Sequence, residues 1–153
     1  MNIEIINTGS LDNSLDSTRK FGLFLNCFLT SIKMMHWYIT DYNCHQIFGN
    51  LHEKLNNHFD DLQEEIIGTS KYSKINFPLI NSSSPDIDNI QLYQNNESIF
   101  SLYKELTTQL QGHLCNLEFT NYINSVNSGI NNIKEEILSE INKANYLFSL
   151  IKI

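Results

Sequence analysis

Apolar residues recur every three or four positions through four stretches of the chain, a period that predicts α-helices. The first stretch spans about Asp12 to Ile39, and its apolar stripe passes through Leu15, Gly22, Leu25, Leu29, Ile32 and His36. The second spans about Asn43 to Ile67 and is followed by Gly68, a residue type that commonly ends a helix. Its seam is regular and passes through His45, Phe48, His52, Leu55, Phe59, Leu62 and Ile66.

Two further periodic stretches follow a long interruption. The third helix is predicted from Asn95 or Asn96 to about Asn116, and the fourth from about Thr120 to the end of the chain. Between the second and third helices, from Thr69 to about Gln94, the period fails, both prolines occur, and only a short helix near Ile87 to Tyr93 is expected. A connection this long lets helices two and three run in the same direction, so the pattern predicts an all-α four-helix bundle with a long crossover between them.

Composition narrows the class of protein. A chain of 153 residues fits one domain, residues 1–153, and no apolar run is long enough to span a membrane. The net charge is −7 and no block of basic residues occurs, so we expect no DNA binding. Three widely spaced cysteines predict free thiols in a reducing compartment, and we expect a cytoplasmic protein of a bacterium or of a virus-infected cell.

Candidate chemistry is concentrated in residues 34–68, which hold four of the five histidines. His36 ends the first predicted helix and His45 begins the second. At 100° per residue, Asp60 is about 60° around the helix from His45, and Glu64 is about 40° further, one turn along. Asp60 and Glu64 can therefore close on one cation from the side of the seam, an edge that can face a second subunit.

Imidazole and carboxylate ligands together suit iron, zinc or manganese. His36, His45, Asp60 and Glu64 are therefore the candidate metal ligands and catalytic residues. Two alternatives remain open at this point. His52 could be a further ligand, although a histidine on this seam is more often packed in the core, and Asp61 with Glu65 could replace their neighbours. His58 is expected to face solvent, and Trp37 to lie in the core or an interface.

This set of residues resembles the Dps family of the ferritin-like superfamily. The resemblance rests on the pair His36-Trp37, on His45, on an aspartate fifteen residues later at Asp60, and on Glu64. Tyr42 and Gly68 bring the stretch closer to poorly characterised ferritin-like proteins of tailed phages. The link between the histidines is shorter than in typical Dps chains, and the specific part covers about a quarter of the chain.

The resemblance implies a ferritin-like bundle with a ferroxidase site shared between subunits. In Dps proteins the histidines come from one chain and the carboxylates from its two-fold partner, iron(II) is oxidised there, and a dodecameric shell stores the oxide. No histidine here has a glutamate three residues before it, so the Glu-x-x-His site of ferritins within one bundle is excluded. We therefore expect a homo-oligomer, at least a dimer, that binds and oxidises iron(II). The alternative is a non-catalytic helical protein, viral in origin, whose site is vestigial or holds zinc.

Overall fold

Four α-helices make up the part of the chain that the structure describes. The computed structural model describes residues 11–69, 95–116 and 127–151. In chain order the helices are α1 (Leu11–Tyr38), α2 (Tyr42–Thr69), α3 (Asn96–Asn116) and α4 (Asn127–Ser149). No strand occurs within these ranges, so the described chain is an all-α bundle.

The helix boundaries lie close to those that the apolar pattern predicts, with one correction. α2 continues through Gly68 to Thr69, so Gly68 belongs to the last helical turn and does not follow the helix as expected. Gly68 does not adopt the left-handed backbone conformation by which a glycine ends a helix, so α2 continues for one more residue. The predicted short helix near residues 87–93 and the predicted start of the fourth helix near residue 120 lie outside the described residues.

Side-chain contacts between the helices determine their directions. In four pairs of helices, later positions of one helix contact earlier positions of its neighbour, so these four pairs are antiparallel. These contacts are His36–His45 and Phe28–Phe59 between α1 and α2, Phe24–His113 and Thr40–Asn96 between α1 and α3, Phe48–Phe148 and His58–Glu136 between α2 and α4, and Tyr103–Asn145 between α3 and α4. α2 and α3 therefore run in the same direction, as the long connection between them predicts.

Aromatic residues fill much of the core. On α1 the buried set includes three phenylalanines, Phe21, Phe24 and Phe28, beside the predicted Leu25, Leu29 and Ile32. At the opposite end, Phe48 of α2 packs within 6 Å of three rings from α3 and α4, namely Phe100, Tyr103 and Phe148. The Tyr103 hydroxyl donates a hydrogen bond to Asn145 Oδ1 at 2.8 Å, which satisfies the polar atom of this buried side chain.

The buried seam of α2 differs from the predicted seam at two positions. Cys44 and Leu51 are buried, whereas the neighbouring His45 and His52 are only half-buried and lie towards α1. Burying a histidine in an apolar core costs free energy because the imidazole loses its hydration, whereas Cys44 and Leu51 are buried without this cost. The helix is therefore rotated so that Cys44 and Leu51 face the core. This rotation brings the two histidines out of the core and onto the surface where α1 and α2 meet.

Candidate functional site

The short link between α1 and α2 positions the histidines. Asp41 caps α2, because its Oδ1 accepts a hydrogen bond from the backbone N–H of Cys44 at 2.8 Å. This hydrogen bond is the main reason that the pKa of the Asp41 carboxyl is lowered. With the link fixed, His36 lies in the last turn of α1 and His45 in the first turn of α2.

His36 and His45 form a closed pair, which we call the histidine clamp. Their rings stack with centroids 3.9 Å apart and planes inclined by 22°. His36 Nδ1 lies 2.8 Å from the carbonyl oxygen of His45, and His45 Nδ1 lies 2.7 Å from the carbonyl oxygen of His36. The His36 carbonyl belongs to the last turn of α1 and has no partner within that helix, so the second bond also caps α1.

The clamp determines the chemical form of both rings. A carbonyl oxygen only accepts hydrogen bonds, so each Nδ1 must carry a proton and donate it. In the neutral rings, Nε2 then carries the lone pair, and neither Nε2 atom has a hydrogen-bond partner among the described residues. Histidines that bind metals commonly donate their other N–H to a backbone carbonyl in this manner. Both side chains are thus prepared as nitrogen ligands.

Gly49, one turn after His45, makes room for the clamp. A Cβ built on Gly49 would lie 2.9 Å from Cε1 and 3.0 Å from Nδ1 of His36, closer than van der Waals contact allows. Because the His45 carbonyl points along the helix towards position 49, a side chain there would obstruct its approach by the His36 ring. The apolar pattern did not predict this role, although a glycine retained inside a helical pattern commonly has a packing reason.

Gly49→Ala should therefore displace the His36 ring and break its hydrogen bond to His45. Gly112 of α3 is the matched control, since a Cβ built there meets nothing within 4 Å. Gly112→Ala should raise the free energy of unfolding by about 0.5–1 kcal/mol through helix propensity alone. For Gly49→Ala we expect no such gain in the free energy of unfolding. We also expect the His36 Nδ1–H signal to disappear from the proton NMR spectrum. Equal gains in both variants would contradict the assigned contact.

Aromatic side chains border the clamp on the surface. Tyr42 lies face to face with His45, with ring centroids 6.3 Å apart, and is 71% exposed. Trp37 is 59% exposed, and Lys33 Nζ lies 5.9 Å from the centroid of its ring. Trp37 is thus not a core residue, and its predicted place in an interface stays a prediction.

His52 lies on the same side of α2 as the clamp but does not complete a metal site within one chain. Burial lowers its pKa, and electrostatic repulsion by Lys33 and by the protonated form of His36 lowers it further, which places His52 near both residues. It is half-buried and not a core residue as expected. Among the described residues no group of three or more histidine, cysteine, aspartate or glutamate side chains converges on a point that could hold a metal ion.

The candidate carboxylates lie on the outer surface of α2, away from the clamp. Asp60 and Glu64 are both exposed. Fifteen residues of helix separate His45 from Asp60, a distance of about 22 Å along the axis. The structure therefore brings His36 and His45 together but does not bring Asp60 or Glu64 to them within one chain.

Of the alternative pair, Asp61 is exposed and Glu65 lies near the start of α4. Glu65 Oε2 lies 3.2 Å from the position that a Cβ would take on Gly129 in the first turn of α4. An acidic side chain at the amino end of a helix interacts favourably with its dipole, which gives Glu65 a structural role. None of the four carboxylates has an ion pair or hydrogen bond within the described chain, so only the position of Glu65 beside α4 separates the two pairs.

Two neighbouring residues also differ from the simplest interpretation of the sequence. The His58 side chain is 22% exposed and its Nδ1 lies 3.3 Å from Glu136 Oε2, so it links α2 to α4 and does not simply face solvent. Burial, with a contribution from Asp41, raises the pKa of the Cys44 thiol to about 12. Cys44 is therefore protonated at neutral pH and is no thiolate ligand beside His45.

Thiol labelling tests the environment of Cys44. In the folded protein a maleimide at mildly alkaline pH should modify the exposed Cys115 rapidly and leave Cys44 intact until denaturant is added. Mass spectrometry of proteolytic fragments distinguishes the positions. Rapid native-state labelling of Cys44 would show that this turn of α2 opens readily.

None of the described helices is apolar over a sufficient length to cross a lipid bilayer. Comparisons with protein-family models, with curated proteins and with solved structures each found no match. The resemblance to the Dps family therefore stays a prediction from the motif.

Proposed function

We propose that two copies of this ferritin-like chain bind iron(II) between them and oxidise it. His36 and His45 of one copy would supply nitrogen ligands, and Asp60 and Glu64 of the other would supply oxygen ligands. The observation that carries the proposal is the histidine clamp, because both rings are held with Nδ1 protonated and Nε2 unpartnered. A merely structural pair of histidines does not require both Nε2 atoms to remain free.

The separation of the two half-sites supports sharing between copies. Carboxylates about 22 Å along α2 from the histidines cannot reach them within one rigid helix. If two copies of α2 lie antiparallel across a two-fold axis, the amino end of each faces the carboxyl end of the other. This arrangement produces two equivalent sites per dimer, each with two nitrogen and two carboxylate ligands.

The ligand set suits redox chemistry on iron. Four protein ligands leave positions on an iron ion open to water or an oxidant, and carboxylates favour the iron(III) product. With hydrogen peroxide as oxidant, two iron(II) ions lose one electron each and the O–O bond breaks. Two protons then complete two water molecules. If dimers assemble further into a shell, the iron(III) oxide is stored inside it.

Metal analysis and an oxidation assay test the proposal. Protein purified without chelator should contain iron, with zinc or manganese as competitors, and anaerobic iron(II) should bind at two sites per dimer. Addition of peroxide should then produce the ultraviolet absorbance of iron(III) faster than in protein-free buffer, and zinc should inhibit it. Stoichiometric zinc without iron oxidation would favour the non-catalytic alternative.

A further inference from the structure

A close contact between α1 and α2 determines which of their residues face each other. A Cβ built on Gly22 of α1 would meet the Gln63 side chain of α2. Lys33 follows Gly22 by eleven residues, and His52 precedes Gln63 by eleven. Eleven residues are about three helical turns, so each residue returns to the same side of its helix. Because α1 and α2 are antiparallel, Lys33 and His52 lie opposite each other where the two helices meet.

A second contact gives the same alignment of the two helices. The His36 ring lies against Gly49, Lys33 precedes His36 by three residues, and His52 follows Gly49 by three. The electrostatics agree with this placement. Burial is the main cause of the lowered pKa of His52, and the positive charge of Lys33 adds to it, which requires the two side chains to be close.

Lys33 carries a positive charge that no described carboxylate neutralises. The ion pairs among the described residues use Lys54, Lys143 and His58 as their cations. The half-buried Lys33 instead places its Nζ 5.9 Å from the centroid of the Trp37 ring. Acidic residues are plentiful in a chain of net charge −7, yet none of those described pairs with this ammonium.

His52 adds a hydrogen-bond donor on the opposite helix. It is half-buried and makes no hydrogen bond with the described residues. Either neutral tautomer of its imidazole carries one N–H group. The next residue of α2, Glu53, is exposed and lies about 100° around the helix from His52, so its carboxylate is directed elsewhere. Lys33 and His52 together therefore offer a positive charge and donors, without an acceptor among the described residues.

We propose that Lys33 and His52 bind a phosphate group at the junction of α1 and α2. Phosphate oxygens accept several hydrogen bonds, and their charge balances that of the ammonium. The group belongs either to free phosphate or to a mononucleotide, because the Trp37 ring beside Lys33 is 59% exposed and a nucleotide base can stack on such a ring. The inference does not depend on iron chemistry, since neither Lys33 nor His52 is among the four proposed iron ligands.

The indole N–H of Trp37 reports on this site, because the chain contains no other tryptophan. Chelator-treated full chain is titrated with sodium phosphate at neutral pH and constant ionic strength, and its proton–nitrogen NMR spectrum is recorded. The chelator excludes binding of phosphate through a metal ion. We expect a saturable shift of the indole cross-peak with phosphate and none with chloride. The absence of a saturable shift with both phosphate and a mononucleotide would overturn the proposal.

The second arm of the titration distinguishes the two sources of the phosphate group. A mononucleotide that binds more tightly than inorganic phosphate would show that the base contributes, and the site would then belong to a nucleotide. A mononucleotide that binds no more tightly would identify free phosphate as the ligand. Both results support a phosphate site.

Two lysine variants separate a specific site from general attraction of anions. K33M and K54M each remove one positive charge, but Lys54 Nζ already pairs with Glu140 Oε2 at 3.3 Å. K33M should weaken phosphate binding by at least about 10-fold, because hydrogen bonds to charged groups are strong. K54M should change it by less than about 2-fold, and K33R should keep most of the affinity. Equal weakening by K33M and K54M would show that phosphate senses only the overall charge and would overturn the site.

A pair of substitutions at His52 tests the second donor. H52L removes the N–H group, whereas H52Q keeps one in its side-chain amide. We expect H52L to bind phosphate about 2- to 10-fold more weakly than H52Q, as for the loss of one hydrogen bond. Equal affinities of H52L, H52Q and the unmodified chain would overturn the assignment of His52. The iron(II) oxidation assay judges the proposed function separately, whichever result is obtained.

Discussion

Replacing Asp60 and Glu64 together by alanine should reduce iron(II) oxidation to the uncatalysed rate without unfolding the bundle. The double variant removes both oxygen ligands from each proposed site and leaves only two imidazoles. Even residues that only orient metal ligands commonly contribute about 10–100-fold to affinity, so loss of two direct ligands should weaken iron binding by more than about 100-fold. Iron(II) titration and the peroxide-dependent oxidation rate measure the two effects.

The fold should tolerate this double change, because both side chains are exposed and have no partner within the described chain. Alanine is also the better helix former, so the melting temperature should stay equal or rise slightly. D61A/E65A is the control, with the same loss of charge one position along α2, and it should keep the oxidation rate. Undiminished oxidation in D60A/E64A, with loss in the control, would transfer the assignment to Asp61 and Glu65.

The helices could be predicted from the sequence because their apolar periodicity is sustained over many turns. The rotation of α2 could not, since both the seam through His45 and His52 and the seam through Cys44 and Leu51 fit spacings of three and four. The spacing of apolar residues does not include the free-energy cost of burying an imidazole, and that cost determines which of the two adjacent seams faces the core.

On α1 the predicted stripe was too narrow. Phe21, Phe24 and Phe28 are buried because α1 packs against both α2 and α3, and a helix with two neighbours buries a wider arc than one stripe. The single line through Leu25, Leu29 and Ile32 describes only one part of that arc.

The identity of the clamp residues could be predicted, but not their geometry. The sequence singles out His36 and His45 as ligand types near a helix junction. That each ring bonds the backbone of the other depends on the turn at residues 39–41 and on the space left by Gly49, which are tertiary features. The pairing with Asp60 and Glu64 depends on a second copy and remains a prediction.

Phe48→Ala should destabilise the bundle severely. Phe48 is fully buried, and its ring centroid lies 4.8 Å from that of Phe148, 5.5 Å from Tyr103 and 5.8 Å from Phe100. Truncation leaves a cavity where three helices meet, which typically costs about 3–5 kcal/mol. Because whole domains are stable by only about 5–15 kcal/mol, this is a large fraction of the total. Urea denaturation followed by circular dichroism measures the loss in free energy of unfolding.

Tyr146→Ala provides the control, since it also removes an aromatic ring, but one that is 64% exposed on α4. A surface change of this kind should alter the free energy of unfolding by no more than about 0.5 kcal/mol. The difference between the two variants in free energy of unfolding measures the contribution of packing around Phe48, apart from the loss of an aromatic ring as such. If Phe48→Ala cost no more than the control, the rings of α3 and α4 would not be packed on α2. The parallel arrangement of α2 and α3 would then lose its main support at this end of the bundle.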